Sequence, residues 1–298
     1  MNIDAELKLS YYKTVANLCP EHGVFLVQHV SSNQFYVKKE VALFNKEIYT
    51  FLLNHPIPNT PKIIELVESD DILYIIEEYI HGTNLQILVD QNGTLPEPKV
   101  AEILDKLCKI LNPLHQMNPP MVHRDIKPSN VILANNGEVY LIDFNAAKYS
   151  STDSTSDTIL LGTEGYAAPE QYGFGSSTPQ TDIYALGKLA NYLLYGTLEN
   201  QSSPNSMLGT IIQKSTELNP KDRYQSVQEI IDALQGKTSN TNALPVGFRS
   251  KTPWKMLVAI IYYATFLWVS ISLKVENSIP KTLIVYRVVT FIMVMVSP

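Results

Sequence analysis

Residues 131–142 constrain this chain more than any other stretch. VILA, then Asn135-Asn136-Gly137, then VYLI reads as strand, tight turn and strand. A hairpin brings the chain back to where it set out, so the segments just before and just after it must be neighbours. Before it stands His123-Arg124-Asp125-Ile126-Lys127-Pro128-Ser129-Asn130, and after it stands Asp143-Phe144-Asn145. A carboxylate, an amine and an amide within six residues are thus joined by a second carboxylate.

The rest of the chain divides around this point. Ahead of Gly82, residues 24–27 (VFLV), 35–41 (FYVKKEV) and 72–79 (ILYIIEEY) read as strands, and 42–54 carries Phe44, Ile48, Phe51 and Leu52 at helical spacing. Beyond Gly82 the texture becomes helical. Residues 97–115 place Val100, Leu104, Leu107, Leu111 and Leu114 on one stripe, with Pro113 near its end, and 182–195 reads as a mostly buried helix. A last helix opens on Ser226-Val-Gln-Glu229, a capping box, and ends at Gly236. The fold class expected is α+β: a small strand-rich lobe, then a larger helical lobe.

Transfer of a phosphoryl group from ATP needs charge neutralisation on the phosphates and a carboxylate that orients the attacking hydroxyl. The set around the hairpin can supply both. An isolated Asp or Lys is usually just solvated, but the ordered set resembles the catalytic core of a eukaryotic-type (Hanks-type) serine/threonine protein kinase, in its bacterial style. The resemblance covers residues 12–236 and implies a bilobal kinase fold with ATP and Mg2+ in the cleft. It implies that Asp125 accepts or orients the substrate hydroxyl and that Lys127 steadies the transferred phosphate. Asn130 and Asp143 match the magnesium ligands. Gly162-Thr163-Glu164-Gly165-Tyr166-Ala167-Ala168-Pro169-Glu170 resembles the end of an activation segment, which puts Thr163 beside Asp125 and Lys127 and pairs Glu170 with Arg223. Asp182 matches the aspartate that anchors the catalytic loop. The hydroxyl-rich stretch 150–158 reads either as a polar loop or as an activation loop whose phosphate would pair with Arg124.

On the nucleotide side the resemblance implies that Val24 and Val37 line the adenine site and that the backbone of Glu78 and Ile80 contacts the base. Here the chain departs from the pattern. The glycine-rich loop is nearly absent, with Asn17, Cys19 and His22 where glycines belong. The strand lysine is Lys38 or Lys39; Lys39, which shares a face with Val37 and Val41, is favoured. Its partner should be a helix carboxylate, for which Glu47 is the best candidate. Asn145 replaces the last glycine of Asp-Phe-Gly. Glu77 occupies the guard position at the back of the adenine pocket, where a buried glutamate would need a partner that the sequence does not name.

Charge separates the tail from the body. Residues 237–298 hold seven Lys and Arg against one acid, a formal +6, so the remainder carries −12 of the total −6. An acidic body argues against nucleic acid as a partner. Residues 237–255 read as a linker, and 256–273 (MLVAIIYYATFLWVSISL) is free of charge between Lys255 and Lys274. As a helix it would span roughly 27 Å, close to the ~30 Å hydrocarbon core, so a transmembrane helix is expected, with the kinase body on the cytoplasmic side of the cell membrane. The second apolar segment, 283–298, contains Arg287 and would return as a hairpin, lie at the interface, or end as a helix cut short. MNIDAELKLS has acids where a signal peptide has an apolar core, and two distant cysteines, Cys19 and Cys108, make no disulfide framework. The expected partners are protein substrates, the membrane through the tail, and a second copy during autophosphorylation. The competing readings are a membrane-anchored pseudokinase scaffold and a small-molecule phosphotransferase of related fold.

Overall fold

The computed structural model describes residues 3–150, 162–173, 175–199, 201, 206–237 and 253–272. It divides into two compact units, Met1–Lys237 and Thr238–Pro298.

In the first unit, helix α1 (Ile3–Ser10) leads into β1 (Tyr12–Cys19), β2 (Val24–His29) and β3 (Phe35–Val41); helix α2 (Lys46–Asn54) follows, then β4 (Ile63–Ser69) and β5 (Ile72–Glu78). The five strands form one antiparallel sheet in the order β1-β2-β3-β5-β4. Its register decides which side chains meet. Leu26 lies opposite Val37 and Val24 opposite Lys39, while on the other side Val37 faces Glu77 and Lys39 faces Ile75. Directly opposed residues share a face of an antiparallel pair, so Val24, Val37, Lys39 and Glu77 all project from the same face. Lys38 projects from the other, where it pairs with Glu40 at 2.8 Å and lies over the ring of Phe25.

Helix α2 begins later than the apolar spacing suggests. Asn45 caps it, accepting from the N–H of Glu47 (3.0 Å) and of Ile48 (3.4 Å). That cap fixes Glu47 in the first turn, exposed to solvent, and turns Ile48, Tyr49 and Leu52 inward.

The helical part follows β6 (Gly82–Asn84): α3 (Leu85–Asn92), α4 (Glu97–His115), β7 (Met121–Val122), β8 (Val131–Ala134), β9 (Val139–Leu141), β10 (Lys148–Tyr149), α5 (Pro179–Tyr195), α6 (Met207–Ser215) and α7 (Val227–Leu234). The whole stripe predicted on α4 is buried, and its Pro113 falls in the last turn, where the helix stops. Ser226 caps α7 through the N–H of Glu229 at 3.3 Å. Glu229 answers to the N–H of Gln225 (3.1 Å) rather than that of Ser226, one residue earlier than a capping box would place it. Gly82 is required where β6 crosses β8: a Cβ there would lie 2.4 Å from the carbonyl oxygen of Leu133. The core runs through α4, α5 and α7 to Ile48, Leu52 and Ile75 of the sheet lobe.

Two small ladders hold the site. The β8–β9 hairpin pairs Val131 with Leu141, and Ile142 N–H donates to the carbonyl of Asn130 at 2.9 Å, as the turn residues required. Beyond it, β10 pairs with β7, Lys148 opposite Val122. The segments 123–130 and 143–147 are therefore pinned side by side from both ends.

The second unit holds helix α8 (Pro253–Ser272). Among the described residues no helix is long and apolar enough to cross a membrane, so the transmembrane expectation for 256–273 gains no support from the structure. Residues 238–252, the second apolar segment and the 151–158 part of the hydroxyl-rich stretch lie outside the described residues.

Candidate active site

The loop 123–130 is suspended from one buried carboxylate. Asp182, in the first turn of α5, accepts from the backbone N–H of His123 (2.9 Å) and of Arg124 (2.8 Å), and its Oδ2 lies 2.8 Å from His115 Nε2 at the end of α4. Burial alone would raise its pKa; His115, His123 and the backbone donor override this and hold it below the usual carboxylate range. Arg124 is forced to a left-handed φ of 71°. For a residue with a side chain that conformation is costly and persists only where its surroundings impose it. Gln171 adds a second tether, donating to the Arg124 carbonyl at 2.8 Å.

Suspended in this way, the loop aims Asp125 at a compact set of groups. Thr163 Oγ1 donates to Asp125 Oδ1 (2.7 Å), Lys127 Nζ donates to Thr163 Oγ1 (2.7 Å), and Lys127 Nζ lies 2.8 Å from Asp125 Oδ2. Asn130 Nδ2 donates to the same Oδ2 at 2.9 Å. Burial would raise the Asp125 pKa, but the hydrogen bond and charge of Lys127, with Thr163, pull it below the usual range, so it is ionised at neutral pH. Asp125, Lys127, Thr163 and Asn130 are thus in mutual contact. Asn130 spends its amide nitrogen on Asp125, which leaves the amide oxygen as the atom that could hold a metal.

Asp143, like Arg124, has a left-handed backbone, with φ 70°. The left-handed backbone of this turn falls on Asp143 and not on Asn145, the residue that stands in for glycine. Asn145 instead contributes its side chain, whose Oδ1 accepts a hydrogen bond from the Tyr49 hydroxyl of α2. Phe144 is buried against the ring of His123, 4.8 Å between centroids.

Lys39 is 6 % exposed and its ammonium lies 2.8 Å from Glu77 Oε1 and 3.9 Å from Asp143 Oδ1. Burial would lower its pKa, but these two carboxylates outweigh it and keep the lysine charged. The expected partner, Glu47, does not fill that role. It sits exposed in the first turn of α2, because the Asn45 cap starts the helix too close to β3 for this position to face inward. The buried glutamate whose partner the sequence could not name is the partner of the lysine. Its signal lay in strand alternation: Lys39 and Glu77 are diagonal neighbours on adjacent strands.

The other residues expected to meet a nucleotide are placed on or beside the sheet. Val24 opens β2 and Val37 is buried in β3, both on the Lys39 face. Glu78 ends β5 with its N–H committed to the carbonyl of Lys62 (2.9 Å), and Ile80 is buried just beyond. Asn17 and Cys19 belong to β1 itself, and the β1–β2 connection is a short turn, Pro20–His22, closed by Gly23 at φ 64°. Farther off, Arg223 grips Glu170 with two bonds, Nη1 to Oε1 at 2.8 Å and Nη2 to Oε2 at 2.9 Å, both residues being almost fully buried.

Among the described residues no group of three His, Cys, Asp or Glu side chains forms a metal cage. Asp143 and Asn130 offer two hard oxygen ligands, which is the donor set of a magnesium ion that completes its shell with phosphate and water. The chain matches the protein kinase domain over residues 22–246. It is 34% identical over 233 residues to serine/threonine-protein kinase B of Synechocystis, an alignment covering 69% of this chain and 39% of that protein. It is 28% identical over 242 residues to the probable serine/threonine-protein kinase CPE1738 of Clostridium perfringens, covering 73% of this chain and 35% of that one. To serine/threonine-protein kinase PrkC of Bacillus subtilis it is 32% identical over 203 residues, covering 60% and 31%. The chain therefore spans well under half the length of these relatives. With the matched region enclosing the Lys39 strand, the suspended loop and the Asp143 turn, the chain belongs to the protein kinase family.

Proposed function

We propose that this chain is a protein serine/threonine kinase that moves the γ-phosphate of ATP to Ser or Thr hydroxyls of proteins. The observation that carries the reading is the contact set Asp125, Lys127, Thr163 and Asn130. Asp125, ionised and held by three donors, is placed to accept a hydrogen bond from an incoming hydroxyl and orient its oxygen. Lys127, bridged to it through Thr163, supplies positive charge beside that oxygen. Lys39, on the face shared with Val24 and Val37, supplies the charge for the nucleotide phosphates. Magnesium, bound by Asn130 and Asp143, would neutralise phosphate charge. The family of relatives named as serine/threonine kinases supports the choice of hydroxyl.

The pseudokinase reading drew on the lost glycines, Glu77 and Asn145. It is weakened because Glu77 is partnered by the strand lysine and Asn145 by Tyr49, so neither is a broken part of the site. The full chain incubated with Mg2+ and ATP should gain phosphate by intact mass, and Asp125→Asn should gain none. Absence of phosphate on both, with generic protein substrates also untouched, would return the assignment to a scaffold.

Three finer points belong to the same proposal. Residues 256–273 associate with a membrane, on the strength of their charge-free composition and basic flanks. Residues 150–158 are phosphorylated by a second copy, and the phosphate reaches Arg124. Flotation of the full chain with vesicles checks the first; a chain that stays at the bottom of the gradient contradicts it. Peptide mapping of active protein checks the second, and an unmodified 150–158 peptide contradicts it. The third is that the kinase body works in the cytoplasm, where ATP is available.

A further inference from the structure

Resemblance assigns one contact, a lysine on a strand to a carboxylate on a helix, the task of joining the helix to the nucleotide site. Here that task is split. Lys39 is held by a carboxylate of its own sheet, and the helix touches a different residue. We propose that Glu77 is the positioning residue of Lys39 and that α2 acts on the site through the Tyr49 hydroxyl bound to Asn145. The inference rests on the kinase reading for its chemistry.

Four observations carry it. First, the Lys39–Glu77 pair is set by register: Val37 opposite Glu77 and Lys39 opposite Ile75 make it a same-face diagonal between β3 and β5, which no movement of α2 alters. Second, both members are almost wholly buried, Lys39 at 6 % and Glu77 at 7 % exposure, so removing Glu77 leaves the buried lysine with only the longer 3.9 Å contact to Asp143. Third, Glu47 is exposed, its place fixed by the Asn45 cap. Fourth, of the inward residues of α2, Tyr49, 3 % exposed, carries a hydroxyl, and it bonds to the side chain that replaces glycine. Burial first, then the charges of Asp143 and Glu77, raise the Tyr49 pKa well above the usual value, so it remains a donor. Tyr49 and Asn145 are thus complementary departures. A shift of α2 would leave Lys39 in place and release the turn that carries Asp143.

The test uses the full chain as wild type, Glu77→Gln, Glu77→Asp, Glu47→Gln and Tyr49→Phe. The readouts are kcat and KM for ATP, the magnesium dependence, thermal melting, and acetylation of Lys39 by an amine-reactive ester followed by peptide mass spectrometry. Glu77→Gln should lower kcat/KM for ATP about 100-fold, the scale of a misplaced catalytic contact. It should also raise Lys39 acetylation, which a merely structural loss would not do selectively, and Glu77→Asp should recover part of both. Glu47→Gln should stay within about twofold of wild type, as surface changes do. Tyr49→Phe should raise the magnesium requirement without changing Lys39 acetylation. A Glu47→Gln loss as large as that of Glu77→Gln overturns the proposal, as does a Glu77→Gln enzyme within about twofold of wild type. If Glu77→Gln does not fold, Glu77→Asp against Glu47→Gln decides by the same criteria. If wild type itself transfers no phosphate, the kinase reading fails separately. Titration with a fluorescent N-methylanthraniloyl-ATP, together with Lys39 acetylation, then decides: weaker binding and higher acetylation in Glu77→Gln alone uphold the inference, and equal behaviour of the two glutamate variants overturns it.

Discussion

The two sides of the proposed site have departed from the family pattern to different degrees. On the hydroxyl side, Asp125, Lys127, Thr163 and Asn130 sit in mutual contact, with Asp182, Gln171 and the Glu170–Arg223 pair bracing them from behind. On the nucleotide side nearly every connection is remade: Lys39 binds Glu77, Asn145 binds Tyr49, and a turn at 20–22 stands where the family pattern has its glycine-rich loop. The contrast shows where the chemistry is least negotiable. A nucleophile needs one carboxylate in one place, whereas charge on a phosphate can be anchored from more than one direction.

Several variants would break or sharpen that contrast. Asp143→Asn serves both sides at once and has the largest expected effect: a loss of about 10³-fold in turnover that added magnesium only partly restores, measured by steady-state kinetics across magnesium concentration. Glu170→Ala leaves Arg223 buried without its carboxylate and should cost about 3 kcal/mol of stability in chemical denaturation, with the sheet lobe melting unchanged. Asp182→Asn should cost about 2 kcal/mol at neutral pH, since two backbone N–H groups keep weaker acceptors. Because the folded pKa of Asp182 is depressed, its contribution is present above the ordinary carboxylate pKa and is lost as pH falls through the lower folded value. The difference between variant and wild type should therefore shrink below about pH 4. Thr163→Ala removes the bridge between Lys127 and Asp125 and should slow transfer about tenfold, with Thr163→Ser close to wild type. Lys38→Ala lies on the outer face and should change stability by no more than about 0.5 kcal/mol and leave ATP affinity alone. A loss of ATP affinity in Lys38→Ala would reverse the face assignment of the strand.

What was legible in the sequence follows the range of each interaction. The hairpin turn at 135–137 and the spacing from Asp125 to Asn130 are local, and local chemistry was enough to bring the segments that carry Asp125 and Asp143 side by side. The α4 stripe was legible for the same reason: eight apolar positions at helical spacing leave little choice of face. The start of α2 was not, because a single residue, Asn45, decides it by capping, and a shift of one position rotates a helix by about 100°. Glu47 and Tyr49 lie two positions apart, so the face that turns Ile48, Tyr49 and Leu52 inward leaves Glu47 outside. The Lys39–Glu77 pair depends on the relative register of strands nearly forty residues apart, which strand composition alone does not fix. Even so, a glutamate inside the apolar run ILYIIEEY was a sign that something charged lay across from it.

The most direct measurement takes Asp125→Asn and wild type, full chain, and follows nucleotide binding and phosphate transfer in the same samples at saturating Mg2+ and ATP. The two proteins should bind nucleotide alike, through a Lys39–Glu77 side that the substitution does not touch, while transfer to Ser and Thr falls about 10³-fold in the variant. Equal transfer by both proteins, or transfer by neither despite normal binding, would contradict a site in which Asp125 orients the hydroxyl.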